Sequence, residues 1–389
     1  MRLIEALSLT GGSATLIEIE RDSEYDGLLA RILESGYYDH GYCEVHGGYK
    51  PGRHVAHFWL LAEMLAVLGP RRAMEVGCSR GDLLSLLARH GVEVAGIDLS
   101  AESAQTPWPE VRGRLKVGPL EDVGNHLAGP FDLLLGLDVW EHLHPGRLGA
   151  AIDAVSSLAA PDALAFFVVP AFGPDRLFGE PFPLEFEQNR AAFVAGEPFR
   201  FLTAESVDPP LPFAGHLIWA PASWWESQFT SRGWKRVESL EPLLRAFDRF
   251  VPFSVRSAYL FRRDTPQAAQ RVAATAAREL RPHWRVARGL LRAAREDPEE
   301  AARRWVIPHL PGSLRRAYRH LKAMVTRSQG CSGNATIEMT MRDSHLSPDS
   351  RREAVAAFDQ QRGEATSEPG STRGQSTTGS EISSAVPRD

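Results

Sequence analysis

Between residues 72 and 169 the apolar positions fall into short unbroken runs: "AMEVGC", "VEVAGID", "LKVGP", "FDLLLGLD" and "ALAFFVVP". Runs without polar alternation mark strands covered on both faces. Helical spacing intervenes in "DLLSLLARHG", closed by Gly91, and in "RLGAAIDAVSSLA". Strand and helix in alternation predict a parallel sheet with right-handed crossovers, a doubly wound α/β fold. A further helix, "ASWWESQFTSRG", and two strands, "WKRVESL" and "SVRSAYLFRR", complete a seven-stranded sheet.

The flanks read differently. Upstream, "ATLIEIE" is a single strand, and residues 26–68 are helical pieces around the polar, aromatic loop "GYYDHGYCEVHGGYKPGRH". In "VAHFWLLAEMLAVLG" apolar residues recur every three or four positions until Gly69-Pro70 ends the helix. After Pro170 come about fifty residues rich in Pro and Phe; a loop of that length inside a domain is usually a functional lid. From Arg262 to Arg327 there are 15 arginines and one lysine against six acids, on Ala-rich helical stretches. Beyond Ser328 the tail is rich in Ser, Thr and Gly and is expected to be disordered. The expected organisation is an N-terminal segment and helical cap (1–69), a core domain (70–263) with a lid (171–222), a basic helical extension (264–327) and a tail (328–389).

Charge and cysteine content narrow the classes. The net charge is −5, and the chain up to the basic extension is acidic, which disfavours nucleic acid as a partner of the core. The extension itself reads as a solvated appendage that packs on the core or offers a homodimer surface. Its aromatics (Trp284, Trp305, Tyr318) are too sparse for a base-stacking platform. Three separated cysteines, Cys43, Cys78 and Cys331, argue for a reducing compartment and against disulfides or structural zinc. Acidic residues interrupt any N-terminal signal peptide, and no apolar run approaches the ~20 residues of a membrane span. A cytoplasmic protein is expected.

The turn between the first core strand and its helix is "EVGCSRG". A dinucleotide site wants G-x-G-x-x-G there, and this glycine spacing does not fit. Glu75 before the turn and Asp98 at the end of the second strand point elsewhere. The arrangement resembles the class I S-adenosylmethionine-dependent methyltransferases of the small-molecule "VLEHL" type, with motifs along residues 71–170 and a wider likeness over 35–263.

The resemblance implies a Rossmann-like methyltransferase sheet and S-adenosylmethionine as cofactor. It assigns Gly77, Cys78, Ser79 and Gly81 to the turn beneath the cofactor, and Asp98 to the two ribose hydroxyls. Glu75 would face the cationic end of the methionine moiety, and Ile97 and Leu99 the adenine. Gly136 and Leu137 would present backbone groups to the methionine amine. Two departures stand out. Ser79 replaces the usual middle glycine, and Pro119 in "VGPLEDV" occupies the end of strand three, leaving Glu121 or Asp122 for the adenine amine.

"FDLLLGLDVWEHLHP" resembles the family motif after strand four, with Trp140 in place of leucine. Asp138 would sit near cofactor or substrate. Where the acceptor is a hydroxyl, a histidine suits as general base. His142 is one candidate, with helix capping as its alternative role; His144 reads as a loop residue. His216, in "GHLIWAPASWWESQF", is base, substrate ligand or loop anchor. Tyr37, Tyr38 and His40 are cap candidates. No residues have metal-ligand spacing, so no metal is expected. The expected function is methyl transfer to a small molecule, most readily an oxygen of a sugar or secondary metabolite. A non-catalytic binding or scaffold protein and a nicotinamide-dependent oxidoreductase are the alternatives.

Overall fold

The structure is a computed structural model that describes residues 2–7, 13–38, 52–102, 105–172, 186–205, 209–240, 257–278, 282–302 and 305. His40, Cys43, Cys331, Tyr318, the lid stretches 173–185 and 206–208 and the tail 328–389 lie outside the described residues, as does the side chain of Trp284.

Two strands open the chain, β1 (Arg2–Leu7) and β2 (Ser13–Glu18), paired antiparallel. Only β2 is legible from sequence, because β1 has one fully buried residue, Ala6. Helix α1 (Ser23–Glu34) follows and buries Tyr25, Leu28 and Ile32. Helix α2 (Ala56–Val67) departs from the amphipathic expectation: nine of its twelve residues are buried, including Glu63. A helix buried nearly all round needs cover on more than one side.

The core sheet uses β3 (Arg72–Val76), β4 (Glu93–Asp98), β5 (Leu115–Val117), β6 (Phe131–Leu137), β7 (Ala159–Val169), β11 (Trp234–Arg236) and β12 (Ser257–Arg263). Their spatial order is β11-β12-β7-β6-β3-β4-β5, and all neighbours are parallel except those joined to β12. The chain leaves β3 toward β4 and β5, then returns to the other side of β3 as β6. This reversal places a crevice at the carboxyl ends of β3 and β6, where doubly wound sheets bind ligands. Apolar layers cover both faces. One packs α2 and α3 (Asp82–Arg89) on the sheet; the other packs α4 (Leu148–Ser157).

Among its described residues the lid carries regular structure. Its base is a two-stranded pairing of β8 (Ala171–Phe172) with β10 (Ala220–Pro221). Helix α5 (Glu187–Ala195) leads to β9 (Phe201–Thr203), which pairs antiparallel with β2. Asn189 fixes this strand through both polar groups, donating to Phe201 O at 2.8 Å and accepting from its N–H at 3.3 Å. Ile17, Tyr25, Leu28, Phe199, Leu202 and Trp219 share one apolar cluster. The N-terminal segment and the lid, expected as separate pieces, therefore build one cap. Helix α6 (Ala222–Thr230) then carries the chain back to the sheet.

The arginine-rich extension packs on the core. Helix α7 (Pro266–Ala276) is N-capped by Thr265, whose hydroxyl oxygen accepts from Ala268 N–H at 3.1 Å. Arg271 on α7 donates to the carbonyls of Asp132, Asp162 and Leu68. Helix α8 (Pro282–Glu296) lies against α2 and supplies its missing cover. Between them the Glu63 carboxylate, with no exposed surface, accepts from Arg288 Nε at 2.9 Å and Arg292 at 2.7 Å. No helix among the described residues is long and apolar enough to cross a membrane.

The asymmetry of this cluster is testable. Its arginines are partly solvated, whereas Glu63 is not. Removing both arginines in Arg288→Ala/Arg292→Ala strips the buried carboxylate of these donors, leaving His90 Nε2 at 3.6 Å, and is expected to cost about 3–5 kcal/mol in urea unfolding. A change under about 1 kcal/mol would show that apolar contact alone docks α8.

Candidate active site

Three loops meet at the crevice: the turn after β3, the end of β4 and the loop after β6. Glu75, the next-to-last residue of β3, is buried, and its Oε2 has no hydrogen-bond partner. Burial drives its carboxyl well above the usual range, and the nearby Asp82 and Asp98 push the same way. Burial thus favours the protonated form of Glu75.

The turn itself is bent by two left-handed residues, Gly77 (φ +64°) and Ser79 (φ +47°), before Gly81 starts α3. A Cβ on Gly77 would lie 2.7 Å from Val139 Cγ2, so this position requires glycine. That contact also fixes a spatial relation: the turn after β3 is packed directly on the loop after β6. Cys78 turns its thiol into the core layer, close against Gly96. Ser79 N–H donates to Asp98 Oδ2 at 2.7 Å, and Ser100 N–H donates to Oδ1 at 2.8 Å. Both carboxylate oxygens are thus oriented by backbone, with lone pairs left for a ligand. Burial raises the Asp98 carboxyl, and these amide donors pull it back.

Of the two residues expected against adenine, Leu99 is 46% exposed beside the crevice, whereas Ile97 is fully buried in the sheet core. Ile97 lies within β4 and is packed in the core, whereas Leu99 lies just past the end of the strand. Glu121 and Asp122 lie on a short 3₁₀ turn, Leu120–Asp122, after Pro119; Glu121 is half-buried and Asp122 exposed. Gly136 is sealed behind the Trp140 indole, while Leu137 is partly open.

On the β6 side Asp138 is half-buried and adopts a left-handed backbone (φ +54°), a strained conformation for a residue with a side chain. Its N–H donates to Val168 O at 2.9 Å. The next turn brings Glu141, His142 and His216 together. Their potential ligand atoms all lie within 4.8 Å of one another. His142 Nε2 and His216 Nε2 stand 3.9 and 3.7 Å from Glu141 Oε1, and the two imidazoles meet edge to face at 4.7 Å. The set could hold a cation, a grouping that spacing along the chain conceals because His216 arrives from the lid.

His142 Nδ1 lies 3.2 Å from Gly215 O and 3.1 Å from Tyr38 Oη. A carbonyl oxygen only accepts, so this network assigns the proton of the neutral ring to Nδ1 and leaves Nε2 basic. Burial lowers the His142 pKa to about 4, opposed by the carbonyls of Gly215 and Asp138. Tyr38 reaches this ring because position 215 is glycine; a Cβ there would lie 2.9 Å from Tyr38 Oη. Tyr37 donates to Glu205 at 2.6 Å.

The remaining assignments sort out by geometry. His144 is structural: its Nδ1 accepts from Gly146 N–H at 3.0 Å, and its ring packs edge-on to Tyr25. Glu141 is the residue that sequence reasoning passed over. The signal was present, since an acid beside a histidine in a buried turn is rarely idle.

Residues 52–209 match the family model described as a methyltransferase domain. Over 112 residues the chain is 27% identical to a ubiquinone biosynthesis O-methyltransferase of Bordetella avium, covering 28% of this chain and 46% of that protein. The equivalent protein of Psychrobacter arcticus is 31% identical over 101 residues, covering 24% and 38%. The chain thus spans less than half the length of these curated relatives. Among solved structures, 1,6-didemethyltoxoflavin-N1-methyltransferase from Burkholderia thailandensis is similar at 16% identity and a TM-score of 0.39, over 65% of this chain and 96% of that one. The match of residues 52–209 to a methyltransferase domain thus agrees with the sheet order and the glycine turn.

Proposed function

We propose that this chain transfers a methyl group from S-adenosylmethionine to an oxygen of a small molecule, such as a sugar or secondary metabolite, with His142 as general base. One observation carries this reading: the contact of Gly77 with Val139 packs the cofactor-type turn against the loop that presents His142. A cofactor in the crevice and a base within reach of it follow from the same contact.

The residues present fit the cofactor. Glu75 offers an unpartnered buried carboxyl for an ammonium group, Asp98 a preset pair of acceptors for vicinal hydroxyls, and Gly77 a turn without side-chain bulk. Ser79, Gly81, Leu99 and Leu137 complete that assignment, with Glu121 or Asp122 toward the adenine, while Gly136, behind the Trp140 indole, drops out of it. When bound, S-adenosylmethionine supplies a methyl group that is already electrophilic, so the protein's work is positioning and water exclusion.

His142 Nε2 takes the proton from the acceptor hydroxyl. Glu141 stands beside that nitrogen and stabilises the imidazolium as it forms. Tyr38 and Gly215 hold the opposite edge of the ring, and His216 walls the acceptor side with Asp138 below. The aromatic cap over the site favours an acceptor that is small and partly apolar. Transfer to oxygen is supported by the histidine cluster and by the names of the curated relatives.

The reading is tested by binding, turnover and chelation. Asp98→Ala is expected to weaken S-adenosylhomocysteine binding by roughly 1.5–3 kcal/mol in calorimetric titration; unchanged affinity removes Asp98 from the site. Because burial favours the protonated form of Glu75, capture of an ammonium group should expel a proton. Affinity should therefore rise with pH, and binding heats should vary with buffer ionisation enthalpy in wild type but not in Glu75→Gln. His142→Ala is expected to lower kcat about 10²–10⁴-fold while leaving cofactor affinity intact. With a pKa of about 4, His142 stays a free base through neutral pH, so kcat/KM should decline only as pH falls toward that value. Full loss of activity on exhaustive chelation would replace this mechanism with a metal-assisted one at Glu141, His142 and His216.

A further inference from the structure

The last turn of α8 makes contacts that packing alone does not require. Glu296 Oε1 accepts from the backbone N–H of His54 at 2.9 Å and lies 2.8 Å from its ring Nδ1. Glu296 Oε2 accepts from Trp59 Nε1 at 2.6 Å. The next residue, Asp297, is paired with Arg53 at 3.2 Å. Two successive acids of the extension thus grip two successive residues more than two hundred positions earlier.

Arg53 and His54 in turn hold the cofactor turn. Arg80, between Ser79 and Gly81, donates to Arg53 O at 2.8 Å and clasps Asp82 at the start of α3 through Nε at 2.7 Å. The second nitrogen of His54 lies 2.7 Å from the Ser85 hydroxyl, which itself donates to Asp82 O at 2.9 Å. On its flat face His54 stacks against Trp108 at 3.6 Å and 10°. Trp108 closes the loop after Asp98 and carries the Arg80 guanidinium over its ring. An unbroken series of hydrogen bonds and stacked rings therefore runs from Glu296 to Arg80, Asp82 and Ser85 at the turn after β3, and to Trp108.

We infer that Glu296 is a positioning residue for the cofactor site: through Arg53 and His54 the C-terminal extension sets the geometry of residues 79–85, and with it cofactor affinity. The affinity half of this statement rests on the methyltransferase reading; the coupling half does not. The extension is then a working part of the domain, although it lies outside the stretch matched by the family model. Buried networks of this kind transmit small displacements because neither end can move without breaking a bond.

The experiment compares full-length wild type, Glu296→Ala and Ile152→Val. Ile152 is buried on α4, on the opposite face of the sheet, and serves as a control for general loss of stability. Hydrogen exchange of the ligand-free proteins across residues 77–86 is read first, then calorimetric titration with S-adenosylhomocysteine and the steady-state parameters. Glu296→Ala is expected to exchange faster across 77–86 and to bind S-adenosylhomocysteine roughly tenfold more weakly. KM for S-adenosylmethionine should rise with kcat little changed, and Ile152→Val should alter none of these. Wild-type exchange in Glu296→Ala overturns the coupling; faster exchange with unchanged affinity overturns its bearing on the cofactor. If wild type itself binds no S-adenosylhomocysteine while the exchange difference persists, the methyltransferase reading fails and the coupling stands. Should Glu296→Ala not fold, Glu296→Gln, which keeps one acceptor oxygen, must show the same change in smaller degree, and wild-type exchange in it counts against the proposal.

Discussion

One carbonyl determines how the site is assembled. Glu141 O accepts from two consecutive amides of the returning lid, Leu217 N–H at 2.8 Å and Ile218 N–H at 3.0 Å. Those two bonds pin the lid to the loop after β6. They bring His216 to the Glu141 carboxylate and Gly215 O to the His142 ring. They also anchor Leu217 and Trp219, which belong to the apolar cluster of the cap. The same residue thus fixes the lid with its backbone and faces both histidines with its side chain. Substitution of Glu141 changes only the second of these functions, which separates chemistry from assembly at a single position.

The extent to which the sequence disclosed this follows from the range of each interaction. Strands β3, β4, β6 and β7 are apolar because the sheet is covered on both faces, and local composition suffices to find them. Gly77, Ser79 and Asp98 are likewise readable, since the turn and the strand end act within twenty residues of one another. What escaped detection is non-local. Strand β1 buries a single residue, and β9 exists because β2 offers it an edge some 185 positions upstream. Helix α2 looked amphipathic because its second cover, α8, lies beyond residue 280 and meets it through a buried carboxylate. Ile97 and Leu99 differ for another reason: Ile97 sits inside β4 and is buried in the sheet core, whereas Leu99 follows the strand's last residue, Asp98, and is partly exposed.

The arginine content of the extension acquires a structural meaning. A net positive segment suggests an anionic partner, yet several of its cations are directed inward. Arg271 donates to three backbone carbonyls at the amino-terminal edge of the sheet, and Arg288 and Arg292 neutralise Glu63. Guanidinium groups suit this use because they remain charged when partly buried and can serve several acceptors at once. The acids of the same segment, Glu296 and Asp297, act at the opposite end of α8. Its charge pattern is therefore complementary to the domain beneath it, basic over Glu63 and acidic over Arg53 and His54.

The electrostatics of the crevice favour a neutral resting state. Burial raises the carboxyl of Glu75 and lowers the imidazole of His142, so the same desolvation favours the uncharged form of each, acting on opposite kinds of acid. On the proposed reading, cofactor and acceptor reverse both conditions: an ammonium group favours the carboxylate of Glu75, and proton capture turns His142 into a cation beside Glu141. A ligand lacking the cationic group would then gain nothing from the burial of Glu75, so the site would discriminate by charge as well as by shape. The carbonyl of Glu141 holds the returning lid to the same loop, which links assembly of the lid to the burial that shifts His142.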